Sequence, residues 1–95
     1  MKFLIRWRNH EDKRHEALKA FAAMPVGDPV GDGGDKIKLI GRWHDLAAMD
    51  GVCICETDDI TALSTWALNW NNALDVEVVP VVDDAEAKAI GSSLD

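Results

Sequence analysis

Five side chains in this 95-residue chain are of the types that hold carboxylates or move protons: Arg6, Arg8, Arg42, His44 and Glu56. An arginine fork matches a carboxylate with two parallel N–H donors. An imidazole changes charge near neutral pH, and a neighbouring carboxylate serves as acid, base or orienting group. Arg6 and Arg8 are two residues apart, as are Arg42 and His44, which puts each pair on one face of a strand. Glu56 ends the strand expected between them. Brought together at one end of a sheet, the set would suit a small carboxylate or enolate-like substrate, with Arg42 as clamp and His44 as acid or base. His44, Arg42 and Glu56 are therefore the catalytic candidates, and Arg6, Arg8, Trp43 and Trp70 the ligand-binding ones. The competing reading is an ion-pair network of the arginines with Glu56 and the acidic second half of the chain. Alternation does not choose between them, because a one-residue slip exchanges the two faces of a strand.

Positioning these groups takes strands and helices, and both are legible. Lys2 to Arg8 alternates, with Phe3, Ile5 and Trp7 on one side and Leu4, Arg6 and Arg8 on the other. A helix is expected from about Glu11 to Met24, capped by Asn9 or His10 and stopped before Pro25, with Leu18, Phe21 and Ala22 as its apolar stripe. PVGDPVGDGGD reads as a loop. A second strand runs from about Lys36 to His44, with Ile37, Leu39, Gly41 and Trp43 on one face and Lys38, Ile40, Arg42 and His44 on the other. HDLAAMDG connects it, through a turn-forming Asp-Gly, to Val52–Glu56, a strand apolar on both faces. Thr57, Asp58 and Asp59 start a second helix, with Ile60, Leu63, Trp66, Ala67 and Trp70 buried. VEVVPVV from Val76 to Val82 is a fourth strand whose Pro80 restricts it to a sheet edge. A short helix over about 84–90 follows, capped by Asp83 or Asp84 and closed by Gly91.

The order β-α-β-β-α-β predicts an α+β, ferredoxin-like single domain over residues 1–95: a four-stranded antiparallel sheet with two helices on one face, strands one and three central. Two helices cover one face, yet strands three and four are apolar on both. Leaving the second face wet would forfeit several kcal/mol at about 25 cal/mol per Å², so a homodimer packed through that sheet face is expected. The tryptophans Trp7, Trp43, Trp66 and Trp70, with Phe3 and Phe21, either fill the core or line an apolar cavity.

Composition excludes other classes. Ten Lys and Arg against 17 Asp and Glu give −7, a balance that repels phosphate backbones and anionic lipid, so neither nucleic acid nor membrane is an expected partner. The charge is divided: residues 1–44 carry nine positive and six negative side chains, residues 45–95 one positive and eleven negative. No apolar run approaches the roughly 20 residues of a membrane helix and the amino terminus turns charged too early for a signal peptide, which points to the cytoplasm. Cys53 and Cys55, two apart in VCIC, read as buried free thiols, and no Cys or His stands at metal-ligand spacing. No metal and no cofactor are expected. The glycine-rich loop lacks a Gly-Lys-Ser/Thr ending for phosphate, and Asp28, Asp32 and Asp35 do not match calcium-loop spacing. The third strand lacks the aromatic and basic residues of an RNA-recognition sheet.

The stretches GRWHDL (41–46), CETDD (55–59), WALNW (66–70) and DVEVVPVVDDAEA (75–87), after an MKFLIRW opening, resemble a bacterial domain-of-unknown-function family, number 3303, grouped with the dimeric α/β barrel proteins. The resemblance covers residues 1 to about 89, with a more acidic and glycine-rich loop than the family pattern. It implies a dimeric α/β barrel and brings no assigned catalytic residue. Related barrels include cofactor-independent monooxygenases and isomerases, too broad an analogy to select a reaction; the chain reads as a small dimeric barrel without assigned activity, or alternatively as a cofactor-independent enzyme, monooxygenase- or isomerase-like, or small-molecule binder using a pocket between sheet and helices.

Overall fold

Alternation over KFLIRWRN makes Lys2–Asn9 a strand, β1, whose Phe3 and Ile5 are buried while Arg6 and Arg8 are exposed. The computed structural model describes residues 1–24 and 35–94; the expected loop lies, but for Asp35, outside the described residues. After β1 the chain runs through a 3-10 turn (Glu11–Lys13), α1 (Arg14–Ala22), β2 (Lys38–Asp45), β3 (Asp50–Glu56), α2 (Ile60–Trp70), β4 (Leu74–Val81) and α3 (Asp84–Gly91). The sheet order is β2-β3-β1-β4, every pair antiparallel. This is the ferredoxin-like α+β arrangement, with β1 and β3 central and the proline-bearing β4 at an edge.

Register assigns the faces. Phe3 and Ile5 pair with Cys55 and Cys53, and Leu4 pairs with Ile54 and Val79. The first set faces the helices, where Phe3, Ile5, Ile37, Cys53, Cys55, Leu63 and Trp66 form the core. The second set lies on the face that neither α1 nor α2 covers. In β2 the expected alternation fails. Leu39 pairs with Cys55 and Gly41 with Ile54, so Ile40 is an extra residue between two consecutive rungs. This bulge reverses the faces of everything after it: Arg42 and His44 join Leu39 on the helix face, and Gly41 and Trp43 turn to the open one.

Other boundaries moved for local reasons. α1 starts three residues late, behind the 3-10 turn, because neither Asn9 nor His10 caps it; Asn9 Nδ2 donates instead to the carbonyl of Arg14 at 3.1 Å. Its stripe is centred on buried Ala17, with Ala22 exposed. Asp50 and Gly51 belong to β3, and the turn before them is made by Met49, at φ 56°, and by the Asp45 carboxylate, which accepts from the amides of Ala47 and Ala48 at 3.1 and 3.2 Å. Asp59 caps α2, accepting from the amide of Ala62 at 3.0 Å, and Leu63 and Trp66 are its buried residues, while Ile60 stands in solvent. Gly91 is the last residue of α3 rather than a stop beyond it, since Ser92 continues in right-handed conformation.

Ile5 is fully enclosed. Ile5→Ala should lower the urea unfolding free energy by about 2–5 kcal/mol, the usual cost of emptying a core site; a loss below about 1 kcal/mol would show that β1 is not the centre of the packing.

Candidate functional site

The row Trp7–Gly51–His44 crosses β1, β3 and β2 on the helix face. A glycine in the middle of the row is what allows its outer members to meet. A Cβ on Gly51 would overlap the Trp7 ring, so the indole lies across β3 and reaches His44 edge-on, with centroids 5.4 Å apart and planes at 69°. From above, Phe21 of α1 covers both polar groups of β2. Its ring is 4.8 Å from the His44 imidazole, and the Arg42 guanidinium carbon lies 4.6 Å from its centroid, in cation–π range.

These groups line one pocket between the sheet and the helices, closed on the far side by Trp66 and Trp70 of α2. Its volume is about 60 Å³, less than the ~150 Å³ known to hold a benzene, so what enters must be small or remain partly in solvent. The walls are aromatic and the polar groups few, which is the pattern of a ligand site. The Trp66 indole N–H, in the same wall, is buried and has no acceptor among the described residues, a cost of about 1–3 kcal/mol.

Arg42 differs from the three cations of β1. Arg6 is paired with Glu77 at 3.5 Å, Arg8 with Asp50 at 3.9 Å, and Lys2 with Glu56 at 3.6 Å and with Asp83 and Glu86 at 3.4 Å each. Among the described residues Arg42 has no carboxylate partner. Burial against the aromatic rings, and secondarily the Arg42 charge, hold the His44 pKa below its usual 6.5, so its imidazole is neutral at pH 7. A fixed, half-buried cation and a base that keeps one side in solvent thus stand together at the mouth of one small, mostly apolar pocket.

The expected five-residue constellation does not form. Arg42 and His44 come together with Trp7, Phe21 and Trp70 on the helix face. Arg6, Arg8 and Glu56 lie on the open face, where Arg6 and Arg8 border a shallow depression with Asp50, Asp75 and Glu77, and Glu56 stands at the other end of β3 beside Lys2. Trp43 is also on the open face, with its ring against Gly41. For Arg6, Arg8 and Glu56 the ion-pair reading holds; Trp43, expected in the core or a cavity wall, is instead 60% exposed, turned outward by the bulge at Ile40 that also parts Arg42 and His44 from the rest. Phe21, the ring that joins Arg42 to His44, had no signal beyond its place in a helical stripe. His10, which does not cap α1, is half-buried and lies 3.0 Å from Asp75 through Nε2. Cys53 and Cys55 are buried free thiols. Burial pushes Cys53 up to about 12, with the like charge of Cys55 adding to the shift and Arg42 opposing it, and burial raises Cys55 too; neither is a nucleophile at neutral pH. No cluster of metal-ligating side chains occurs among the described residues, and none of their helices is long and apolar enough to cross a membrane.

A family model described as a domain of unknown function, DUF3303, matches residues 1–95. The curated proteins contain no match. A solved structure, that of an uncharacterized NIPSNAP domain protein from Burkholderia xenovorans, is similar with a TM-score of 0.47 and 14% identity, over 88% of this chain and 97% of that one.

The depressed His44 pKa has a measurable sign. The folded state binds the proton more weakly than the unfolded one, so the stability His44 allows is fully present above about pH 6.5 and is lost as pH falls through its folded pKa. An NMR titration should place the His44 midpoint below 6.5 and move it upward in Arg42→Ala; a midpoint at or above 6.5 would remove His44 from the pocket.

Proposed function

The chain belongs to the DUF3303 family, and we propose that it is a cytoplasmic homodimer that binds small carboxylates in the pocket between sheet and helices. The observation that carries the ligand is Arg42: a guanidinium resting on the Phe21 ring inside an aromatic pocket, with no carboxylate to meet it among the described residues. Its fork matches a carboxylate, and the indoles of Trp66 and Trp70 offer the apolar end a dry wall. The small volume favours a short-chain acid over an aromatic one. His44, neutral beside the clamp, is the base that an isomerase-like proton transfer would use. Arg6, Arg8, Glu56 and Trp43 have no part in this ligand site.

Support for the dimer lies on the open face. Leu4, Val52, Ile54, Val79 and Val81 share it with no helix above them, and Trp43 beside them is 60% exposed. An indole at the border of an apolar sheet is a typical interface anchor. A second copy packed on this face removes the apolar surface from water and leaves the pockets, on the outer layers, open.

Two measurements test this. Titration with butyrate should give a saturable heat signal and a rise in melting temperature, with affinity at least about tenfold weaker in Arg42→Ala and unchanged in Arg6→Ala; no saturable binding of acetate, butyrate or benzoate, or binding indifferent to Arg42, would overturn the ligand reading. Light scattering at micromolar concentration should give twice the 10.4 kDa chain mass and revert to the chain mass in Ile54→Asp, since an unpaired charge buried in the middle of the sheet face is costly. A wild-type species of one chain mass would overturn the dimer.

A further inference from the structure

α3 is a helix built to persist that buries little against the described residues. Its start carries a complete capping box: Asp83 accepts from the Glu86 amide at 2.8 Å, and Glu86 Oε1 accepts from the Asp83 amide at 3.3 Å. Lys2 binds both carboxylates and fixes the root of the helix to the sheet. Yet none of its eight residues is buried. Helices this short are marginal in water unless an apolar face packs on something. Ala87 and Ile90 provide such a face at i and i+3, continued by Leu94 beyond the helix end, with Ile90 61% and Leu94 78% exposed.

The opposite edge of the sheet carries the complementary deficiency. There β2 exposes Ile40 and Trp43, at 50% and 60%, along a strand edge that no other strand pairs among the described residues. The two features cannot meet within one chain, because β3 and β1 lie between them.

We propose that α3 is an exchanged arm: each copy lays it along β2 of a second copy. The inference rests on the sheet-to-sheet dimer above and adds what completes it. A two-fold axis parallel to the strands, placed between the two open faces, sets β4 of each copy opposite β2 of the other, and one operation covers both patches twice. It also keeps height along the strands. Val81, Lys2, Glu56 and Lys38 stand in one row, so the acidic first turn of α3 begins level with Lys38 of the second copy, positive against Asp84. From Asp84 to Gly91 the helix rises about 10 Å, and a turn through Ser92 and Ser93 carries the chain on to Leu94. From Lys38 to Trp43 a strand advances about 16 Å. Laid back along β2, α3 therefore brings Ile90 over Ile40 and Leu94 over Trp43, burying the exposed pairs on each other and blocking the free edge against other strands.

The test is cross-linking between copies of the full-length protein. Ile40→Cys and Ile90→Cys are made in separate populations, both at exposed sites that leave the core intact, then mixed and treated with a short bis-maleimide. The native thiols are fully buried and stay silent. The arm predicts a covalent two-chain product only in the mixture, and Ile90→Asp/Leu94→Asp should weaken dimerisation by about tenfold or more. A light-scattering dimer with no product in the mixture overturns the arm and leaves the dimer standing. Product from Ile90→Cys alone also overturns it, since the helices would then meet each other. A monomer overturns arm and dimer together.

Discussion

Side chains of a β-strand change face at every residue, so one residue inserted between two rungs of a ladder reverses every assignment beyond it. In β2 that residue is Ile40. Upstream, Leu39 packs on the core; downstream, Arg42 and His44 are delivered to the same face rather than to the opposite one. Without the reversal both polar groups would stand on the open sheet face, and Trp43, now exposed there, would have taken a place beneath α1. The pocket and the apolar outer face both follow from this irregularity at an edge strand.

The remaining parts of the site respond to where β2 delivers its side chains. Gly51 leaves room above β3 for the Trp7 indole, which extends laterally to His44. Phe21 descends from α1 onto Arg42 and His44 together. Partial burial against the aromatic rings and the Arg42 charge lower the imidazole's affinity for a proton, and the half-buried guanidinium lies on the Phe21 ring, where an incoming anion is less screened than in bulk water. The cations of β1, by contrast, are neutralised by neighbouring carboxylates in a solvated setting, where such pairs contribute little stability.

Much of this was legible before any coordinates. Where alternation is unbroken, in β1, the faces follow from period two; β3 and β4, apolar on both sides, take theirs from pairing with it, and Pro80 identifies β4 as an edge. The placement of Arg6 and Arg8 away from the core is of that kind. Arg42, His44 and Trp43 were misassigned because a bulge leaves no local mark: Ile40 is a good strand residue, and the extra position shows only in pairing with β3. Asp50-Gly51 misled for a related reason. Its composition is that of a turn, but Gly51 is there for the Trp7 ring, and the turn was made by Met49, a residue with no turn preference. The helix stripes were correct where deep packing decides, at Leu63 and Trp66, and failed at ends such as Ile60 and Ala22, where periodicity continues past the contact.

The central claim is that Arg42 and His44 face the helices, beneath Phe21 and beside Trp7. Nuclear Overhauser contacts from the His44 imidazole protons test it most directly. The account predicts strong cross-peaks from His44 to the rings of Phe21 and Trp7. Cross-peaks instead to the side chains of Val52 or Leu4, on the opposite face of the sheet, would contradict it.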